Sequence, residues 1–403
     1  MHLGPALDNT LDLIDRWRRE DVYPFFPVVS EAAATRAVIR PGRHGTGSAA
    51  EQRVTVLASA DYLDIGHHPD VLRGATDAVR RFGTNTYGTQ AVGGFTVLHH
   101  ALEEAVAAHF ARPAALLFPT GMQANLGVLA TLAGPGDTIL IDQFSHGSIV
   151  MGARLSGADA RTFRHNDAEH LDRLLADVGT GRRLVVVDGL YSAHGDLAPL
   201  SALAEVAERH DALLVVDEAH SGGALGENGR GAAELLAVED RVHIVTGTFS
   251  KAFASTGGFV CAGERVIDAL RHSAGAYLLS LGLSPAPVGA ALAAVTVLRR
   301  EGGERRAALA RNARTLRSLL HQAHVDTADS TAHVVVVPTG LVDRTARIAR
   351  ALARQGLLVT PLLPPAVPIG AARLRLGVTA GHTDDDLALA ARLVAAALAH
   401  DPR

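Results

Sequence analysis

The feature that most constrains this chain is a rhythm between residues 98 and 262, where short apolar runs alternate with longer helical patterns. The helical pattern at 98–110 precedes the run 115–118, and 125–132 precedes 138–141. In the same way 168–178 precedes 184–188, and 200–209 precedes 213–217. Two further runs, 242–245 and 259–262, follow close together. Runs this short and this uniformly apolar suit strands buried on both faces, and the helices between them supply the crossovers that parallel strands require. The expected fold class is therefore α/β, with a large, mainly parallel sheet whose polar ligand groups gather at the C-terminal ends of the strands.

The flanks read differently. Leu7, Leu11, Ile14 and Trp17 recur at helical spacing, and the β-like runs 36–39 and 53–57 surround the turn-rich Pro41-Gly-Arg-His-Gly-Thr-Gly, which predicts a hairpin. Beyond Pro285-Ala-Pro287 comes a long alanine- and arginine-rich helical stretch, 288–323. Strand-like runs at 332–337, 356–360 and 372–377 follow, then a last helix at 383–399. The predicted organisation is 1–55 as an N-terminal helix and hairpin, 56–285 as the large domain and 286–403 as a smaller α+β domain. A chain of 403 residues that is 48% hydrophobic can bury a core of that size.

Composition excludes several function classes. A formal charge of −4 argues against a dedicated nucleic-acid binder. The single cysteine, Cys261, rules out an internal disulfide framework, which points to a reducing compartment. The start of the chain, with Asp8, Asp12 and Asp15, lacks the cationic and apolar regions of a signal peptide. No apolar run approaches the roughly 18 residues of a membrane span. A soluble, cytoplasmic protein is expected.

Three strand ends carry chemistry. At Leu117-Phe-Pro-Thr-Gly-Met-Gln-Ala-Asn125 a strand enters a glycine turn and then a helix, so free N–H groups at Thr120, Gly121 and Met122 could hold an anion; most such turns are only turns. Asp217 ends the next relevant run, with His220 three residues on. Alone, that aspartate reads first as a helix cap, with a metal ligand or the partner of a pyridine nitrogen as the other readings. A metal would want more carboxylates or histidines nearby than this glycine-rich stretch supplies, so no metal site is expected. The third is Thr248-Phe-Ser-Lys251. Lys251 is the only lysine in the chain, and its neighbours Ser250, Gly257 and Gly258 are small. A lone lysine is commonly just a surface charge. Yet only lysine can offer a free amine for Schiff-base chemistry, since arginine stays protonated. A lysine amine, an acid for a ring nitrogen and donors for a phosphate are together what a pyridoxal phosphate (PLP) site requires.

With these motifs in order, the sequence resembles the α-oxoamine synthase family of fold-type I PLP enzymes. The resemblance runs from about residue 56 to the end. It rests on Tyr62-Leu63 with His68-Pro69, Gly88-Thr-Gln-Ala-Val-Gly-Gly94, His99, Leu102-Glu103 and Asp142-Gln-Phe-Ser-His-Gly-Ser148. Further on it rests on Asp217-Glu-Ala-His-Ser221, Gly226-Glu-Asn-Gly-Arg-Gly231 and Gly247-Thr-Phe-Ser-Lys-Ala-Phe253. It implies a fold-type I PLP-dependent transferase. Lys251 would bind the cofactor covalently and later remove the α-proton of an amino acid. Asp217 would pair with the ring nitrogen, His220 would approach the ring hydroxyl with Ser192 nearby, and His146 would stack on the ring. Thr120, Gly121, Met122 and Thr248 would hold the phosphate. Ser280 would reach the phosphate of a neighbouring subunit, which implies a homodimer, and Arg375 would grip the substrate carboxylate.

The reaction implied is decarboxylative condensation of an amino acid with an acyl thioester, on coenzyme A or an acyl-carrier protein, to give an α-aminoketone. His220 and His146 are both candidates for polarising the thioester oxygen. A PLP-dependent C–C lyase or aldolase, an aminotransferase and a catalytically silent scaffold are the alternatives; retention of Lys251, Asp217 and His220 argues against the scaffold. Departures from the family pattern occur at Ala60 and Asp64, where asparagine and glycine are usual, at Gln90 for arginine and at His194 for an acid. They lie around the substrates rather than the cofactor, which implies an unusual substrate in a specialised biosynthetic pathway.

Overall fold

The computed structural model describes residues 4–40 and 51–401. The rhythm of apolar runs becomes a seven-stranded sheet. In chain order its strands are β1 (Ala114–Phe118), β2 (Thr138–Asp142), β3 (Asp159–Phe163), β4 (Arg183–Asp188), β5 (Leu213–Asp217), β6 (Ile244–Thr248) and β7 (Gly258–Ala262). They lie side by side as β1-β7-β6-β5-β4-β2-β3. All pairings from β6 to β3 are parallel, while β7 runs antiparallel to both β1 and β6. The mainly parallel sheet of the expected α/β class is thus present.

Alternate residues explain how both faces are covered. Leu116, Phe118, Ile139, Ile141, Leu184, Val186, Val215, Ile244 and Val260 share one core with residues of the helices Gly121–Leu132, Gly147–Ser156 and Glu264–Ser273. The intervening residues Leu117, Leu140, Val185, Val187, Leu214, Val216 and Phe259 are also buried. On that side the helix Val97–His109 packs on β1, Leu200–Arg209 packs on β5, and Phe110 lies 5.0 Å from the Phe259 ring. Each such side chain withdrawn from water contributes about 1.5–3 kcal/mol, which is why the strands have so little sequence choice.

The chain forms two compact units. One comprises residues 60–192 and 196–308; the other comprises residues up to 59, 193–195 and those from 309 onward. The segment before residue 60 thus belongs with the C-terminal part, and the helix Pro285–Gln322 carries the chain from one unit to the next. In the second unit the strands Arg36–Arg40 and Gln52–Val56 pair antiparallel, as the hairpin reading anticipated; the turn at 41–47 lies outside the described residues. The run at 356–360 is not one strand. Leu357–Leu358 pairs in parallel with Gln52–Val56, whereas Thr360–Leu362 forms an edge beside Ala372–Gly377, a place where Pro361 costs no ladder bond. Among the described residues no helix is long and apolar enough to cross a membrane.

Several elements escaped the sequence reading for physical reasons. β3 is an edge strand, mostly exposed, with no apolar run to betray it. The helix Pro69–Phe82 buries only Val71 and Ala78 among its described positions. It meets the helix Pro285–Gln322 through glycines instead: a Cβ added at Gly289 would stand 2.3 Å from the Gly74 carbonyl oxygen and 2.7 Å from the Ala78 Cβ. Gly289→Ala is accordingly expected to destabilise the protein by about 2 kcal/mol through overpacking. An unchanged midpoint in urea denaturation would refute this close backbone approach.

Candidate active site

Lys251 follows β6 on a turn whose shape is set by two phenylalanines. Phe249 and Phe253 are fully buried, 5.9 Å apart, and Phe249 also packs 5.1 Å from Phe259. Residues 249 and 253 point into the core, leaving Lys251 between them to line a cavity of about 230 Å³. The turn is closed by hydrogen bonds from the Phe249 N–H to the Gly257 carbonyl and from the Ser255 N–H to the Phe249 carbonyl. Thr248 Oγ1 donates to the Gly257 carbonyl at 2.7 Å and accepts from the Ser250 N–H at 3.2 Å.

The same cavity is lined by Thr120, Gly121 and Met122, by His146, Asp217 and His220, and by Thr248. Thr120 caps the helix Gly121–Leu132, its hydroxyl accepting from the Gln123 N–H at 3.1 Å. Free N–H groups and partial positive charge at that helix start favour an anion. A Cβ at Gly121 would stand 2.9 Å from the Thr248 Cβ, and one at Gly258 2.4 Å from the Thr120 carbonyl oxygen, so only glycines let the helix start pack this closely against the strand that ends in Thr248 and its neighbour.

Asp217 ends β5, 94% buried. Its Oδ2 accepts from Asn125 Nδ2 at 2.7 Å and its Oδ1 from the Ala219 N–H at 2.9 Å. Two donors hold this carboxylate in one orientation. His220 Nδ1 lies 2.7 Å from the Tyr62 hydroxyl. His146 caps the helix Gly147–Ser156, its Nδ1 2.7 Å from Ser148 Oγ.

Not every anticipated residue joins this cavity. Ser192 and Ser280 are not among the residues that line it; Ser280 Oγ donates to the Leu281 carbonyl at 3.2 Å. Arg375 belongs to the other compact unit. It is half-buried in mid-strand, in register with Val336 and Thr360. His194 also belongs to that unit. Asp64 has φ 52°, the left-handed region where glycine is easiest and aspartate is tolerated, which accounts for its replacing the usual glycine.

Ser250, noted beside Lys251 in the sequence, lines the cavity, whereas Asp188, Asn125, Ser148 and Thr256, which also line it, were given no role by the sequence reading. Asp188 was within reach, because it ends β4 as Asp217 ends β5, and the two are register partners. Burial and the neighbouring Asp217 raise the Asp188 pKa well above the usual carboxylate range, although it accepts a hydrogen bond from the His146 N–H at 3.1 Å. An acid whose folded pKa is raised favours folding least once pH passes its unfolded pKa. Asp188→Asn is therefore expected to stabilise the cofactor-free protein at pH 7 by on the order of 1 kcal/mol. Equal or lower stability in thermal unfolding would contradict the buried-acid reading.

The cavity fits PLP: one amine, one carboxylate oriented by two donors and a helix start with free N–H groups line the same space. Comparisons with known proteins agree. The family model for aminotransferase class I and II matches residues 52–394. The 8-amino-7-oxononanoate synthase of Pelobacter propionicus is 40% identical over 345 residues, covering 85% of this chain and 88% of its own. That of Geobacter sulfurreducens is 40% identical over 349 residues, covering 86% and 89%. A serine palmitoyltransferase from S. paucimobilis, solved with a PLP–myriocin adduct, superposes with a TM-score of 0.93 at 32% identity, covering 99% of both chains. The chain belongs to the aminotransferase class I and II family and, within it, to the α-oxoamine synthases, PLP-dependent acyltransferases that condense an amino acid with an acyl thioester and release carbon dioxide.

Proposed function

We propose that this chain works as a cytoplasmic homodimer that joins the α-carbon of an amino acid to an acyl group delivered by coenzyme A or an acyl-carrier protein, in a specialised biosynthetic pathway. The observation that carries the reading is the chain's one lysine amine, held by Phe249 and Phe253 on the wall of the same cavity as Asp217. When bound, PLP supplies an electron-withdrawing ring that stabilises negative charge on the amino acid's α-carbon.

The chain's own groups do the rest. Lys251 offers the amine that tethers the cofactor and, once released, takes the α-proton. Asp217, oriented by Asn125 and the Ala219 N–H, holds the ring nitrogen protonated. His220, steadied by Tyr62, would serve the ring hydroxyl, with Ser192 joining it from outside the present lining, and His146 would cover the ring face. Either histidine can polarise the thioester oxygen. The N–H groups of Gly121 and Met122 and the hydroxyls of Thr120 and Thr248 bind the phosphate, and Ser280 reaches the phosphate of the neighbouring subunit. Arg375 takes the amino acid's carboxylate through a guanidinium fork. The products are an α-aminoketone, carbon dioxide and free thiol.

Dimerisation draws support from an apolar surface. Tyr87, Val92 and Leu279 are 78%, 91% and 89% exposed, and the bridge between Thr89 and Leu281 brings their segments together. Such a cluster favours burial against a second copy. The cytoplasmic placement is supported by Cys261, a free and buried thiol.

Incubation with amino acids and acyl thioesters is expected to release thiol and carbon dioxide in equal amounts; amino-group transfer to a keto acid instead would sink the synthase reading. Lys251→Ala is expected to lose the visible absorbance band of bound PLP and to lower turnover about 10²–10⁴-fold. The double substitution Val92→Asp with Leu279→Asp should convert the dimer to monomer in sedimentation. A wild-type monomer with full turnover would overturn the dimer.

A further inference from the structure

His165 follows β3 and sits between two carboxylates. Its Nδ1 is 2.9 Å from Asp142 Oδ1 and its Nε2 is 2.8 Å from Asp196 Oδ2. Ionised carboxylates only accept hydrogen bonds, so both ring nitrogens must donate and the ring must carry a positive charge. The carboxylates have further donors of their own. Asp142 accepts from the N–H groups of Phe144 and Asn166, each at 2.8 Å, and Asp196 accepts from Asn166 Nδ2 at 2.8 Å. The rings of Phe144 and Tyr191 pack on His165 at 4.7 and 4.6 Å.

What this arrangement holds is informative. Asp142 ends β2, and the next four residues lead to His146. Asp142 fixes that path twice, through the Phe144 N–H at its side chain and the Ser145 N–H at its carbonyl, 3.0 Å away. At its far end the path is tied by the His146 N–H to Asp188. Asp196 closes the loop that opens after Tyr191, accepting the Tyr191 N–H at its carbonyl at 3.0 Å. One charged ring therefore clasps the root of the segment that delivers His146 and the root of the loop that carries Ser192.

We propose that His165, bridging Asp142 and Asp196, is a positioning residue that aims His146 into the cofactor cavity and makes turnover sensitive to alkaline pH. The proposal rests on the functional reading above, in which His146 covers the cofactor ring. The titratable groups seen against His165 among the described residues include Asp142, Asp196 and the phenol of Tyr191, whose own pKa is pushed upward by burial and these acids. Burial alone would lower the His165 pKa, but the hydrogen bonds that its ring donates to Asp142 and Asp196 prevail and raise it to about 9. The folded value exceeds the roughly 6.5 of an unconstrained histidine. The clasp is thus complete below pH 6.5 and is lost as pH climbs through about 9.

The test uses the full-length protein and His165→Gln, with Asp196→Asn as a second variant should the first fail to fold. In wild-type holoenzyme, turnover is expected to fall reversibly above about pH 9. In either variant the kcat at pH 7.5 should drop about tenfold or more, with KM for the amino acid little changed, and this alkaline limb should vanish. A purely structural ion pair would lower thermal stability in the variants but leave the pH profile in place, and that result would overturn the proposal. A separate readout needs no cofactor. The His165 ring in PLP-free protein, followed by nuclear magnetic resonance with isotope-labelled histidine, should titrate near pH 9 and return toward 6.5 in Asp196→Asn. A His165 that titrates normally defeats the clasp whatever the fate of the synthase assignment, whereas wild type that binds no PLP defeats only that assignment.

Discussion

Three neighbouring parallel strands end in aspartate, and the site depends on how the fold keeps those three carboxylates in different states. β2, β4 and β5 lie side by side and finish at Asp142, Asp188 and Asp217. Three negative charges on one buried sheet edge would repel strongly if treated alike. They are not treated alike. Asp217 receives two donors, Asn125 Nδ2 and the Ala219 N–H, which fix its orientation. Asp142 is neutralised by His165. Asp188 receives one N–H and is driven toward its protonated form by burial beside Asp217. Of the three, Asp217 is the one held by two donors on the cavity wall.

The lysine turn obeys a comparable division of labour. Phe249 and Phe253 anchor it in the core, and Thr248 and Gly257 stitch it together through the Phe249 N–H, the Thr248 hydroxyl and the Gly257 carbonyl. A long flexible side chain then projects from a rigid base. Rigidity in the base with freedom at the tip suits an amine that must first hold a cofactor and later reach a proton.

Much of this was legible in the sequence because each signal had a physical period. Apolar runs at strand length located β1, β2, β4, β5 and β7. Strand β6 begins two residues later than its apolar run, since Val242 and His243 still belong to the approach: the His243 N–H and ring nitrogen already bond to Leu214. Lys251, Asp217 and His220 stood out because each has few neighbours of its own kind. Asp188 and Asn125 did not, for opposite reasons. Asp188 looks like any polar residue closing a strand until its register with Asp217 is known. Asn125 lies within an apolar helix, and its contact with Asp217 spans 92 residues of chain. His165 was hidden too, on an exposed edge strand's exit, where a histidine among arginines and aspartates looks like ordinary surface polarity. Pairwise geometry of that kind leaves no local pattern to read.

The solitary ε-amine has a practical side. Pyridoxal phosphate is an aldehyde, and on ordinary proteins it forms adventitious adducts with surface lysines that blur any count of true sites. Here every other long cationic side chain is an arginine, which cannot form such adducts. Lysine-directed chemistry of any sort, whether reductive trapping, acylation or fluorescent tagging, has a single side-chain target in each chain. The chain carries a built-in titration of its own cavity, one label per site.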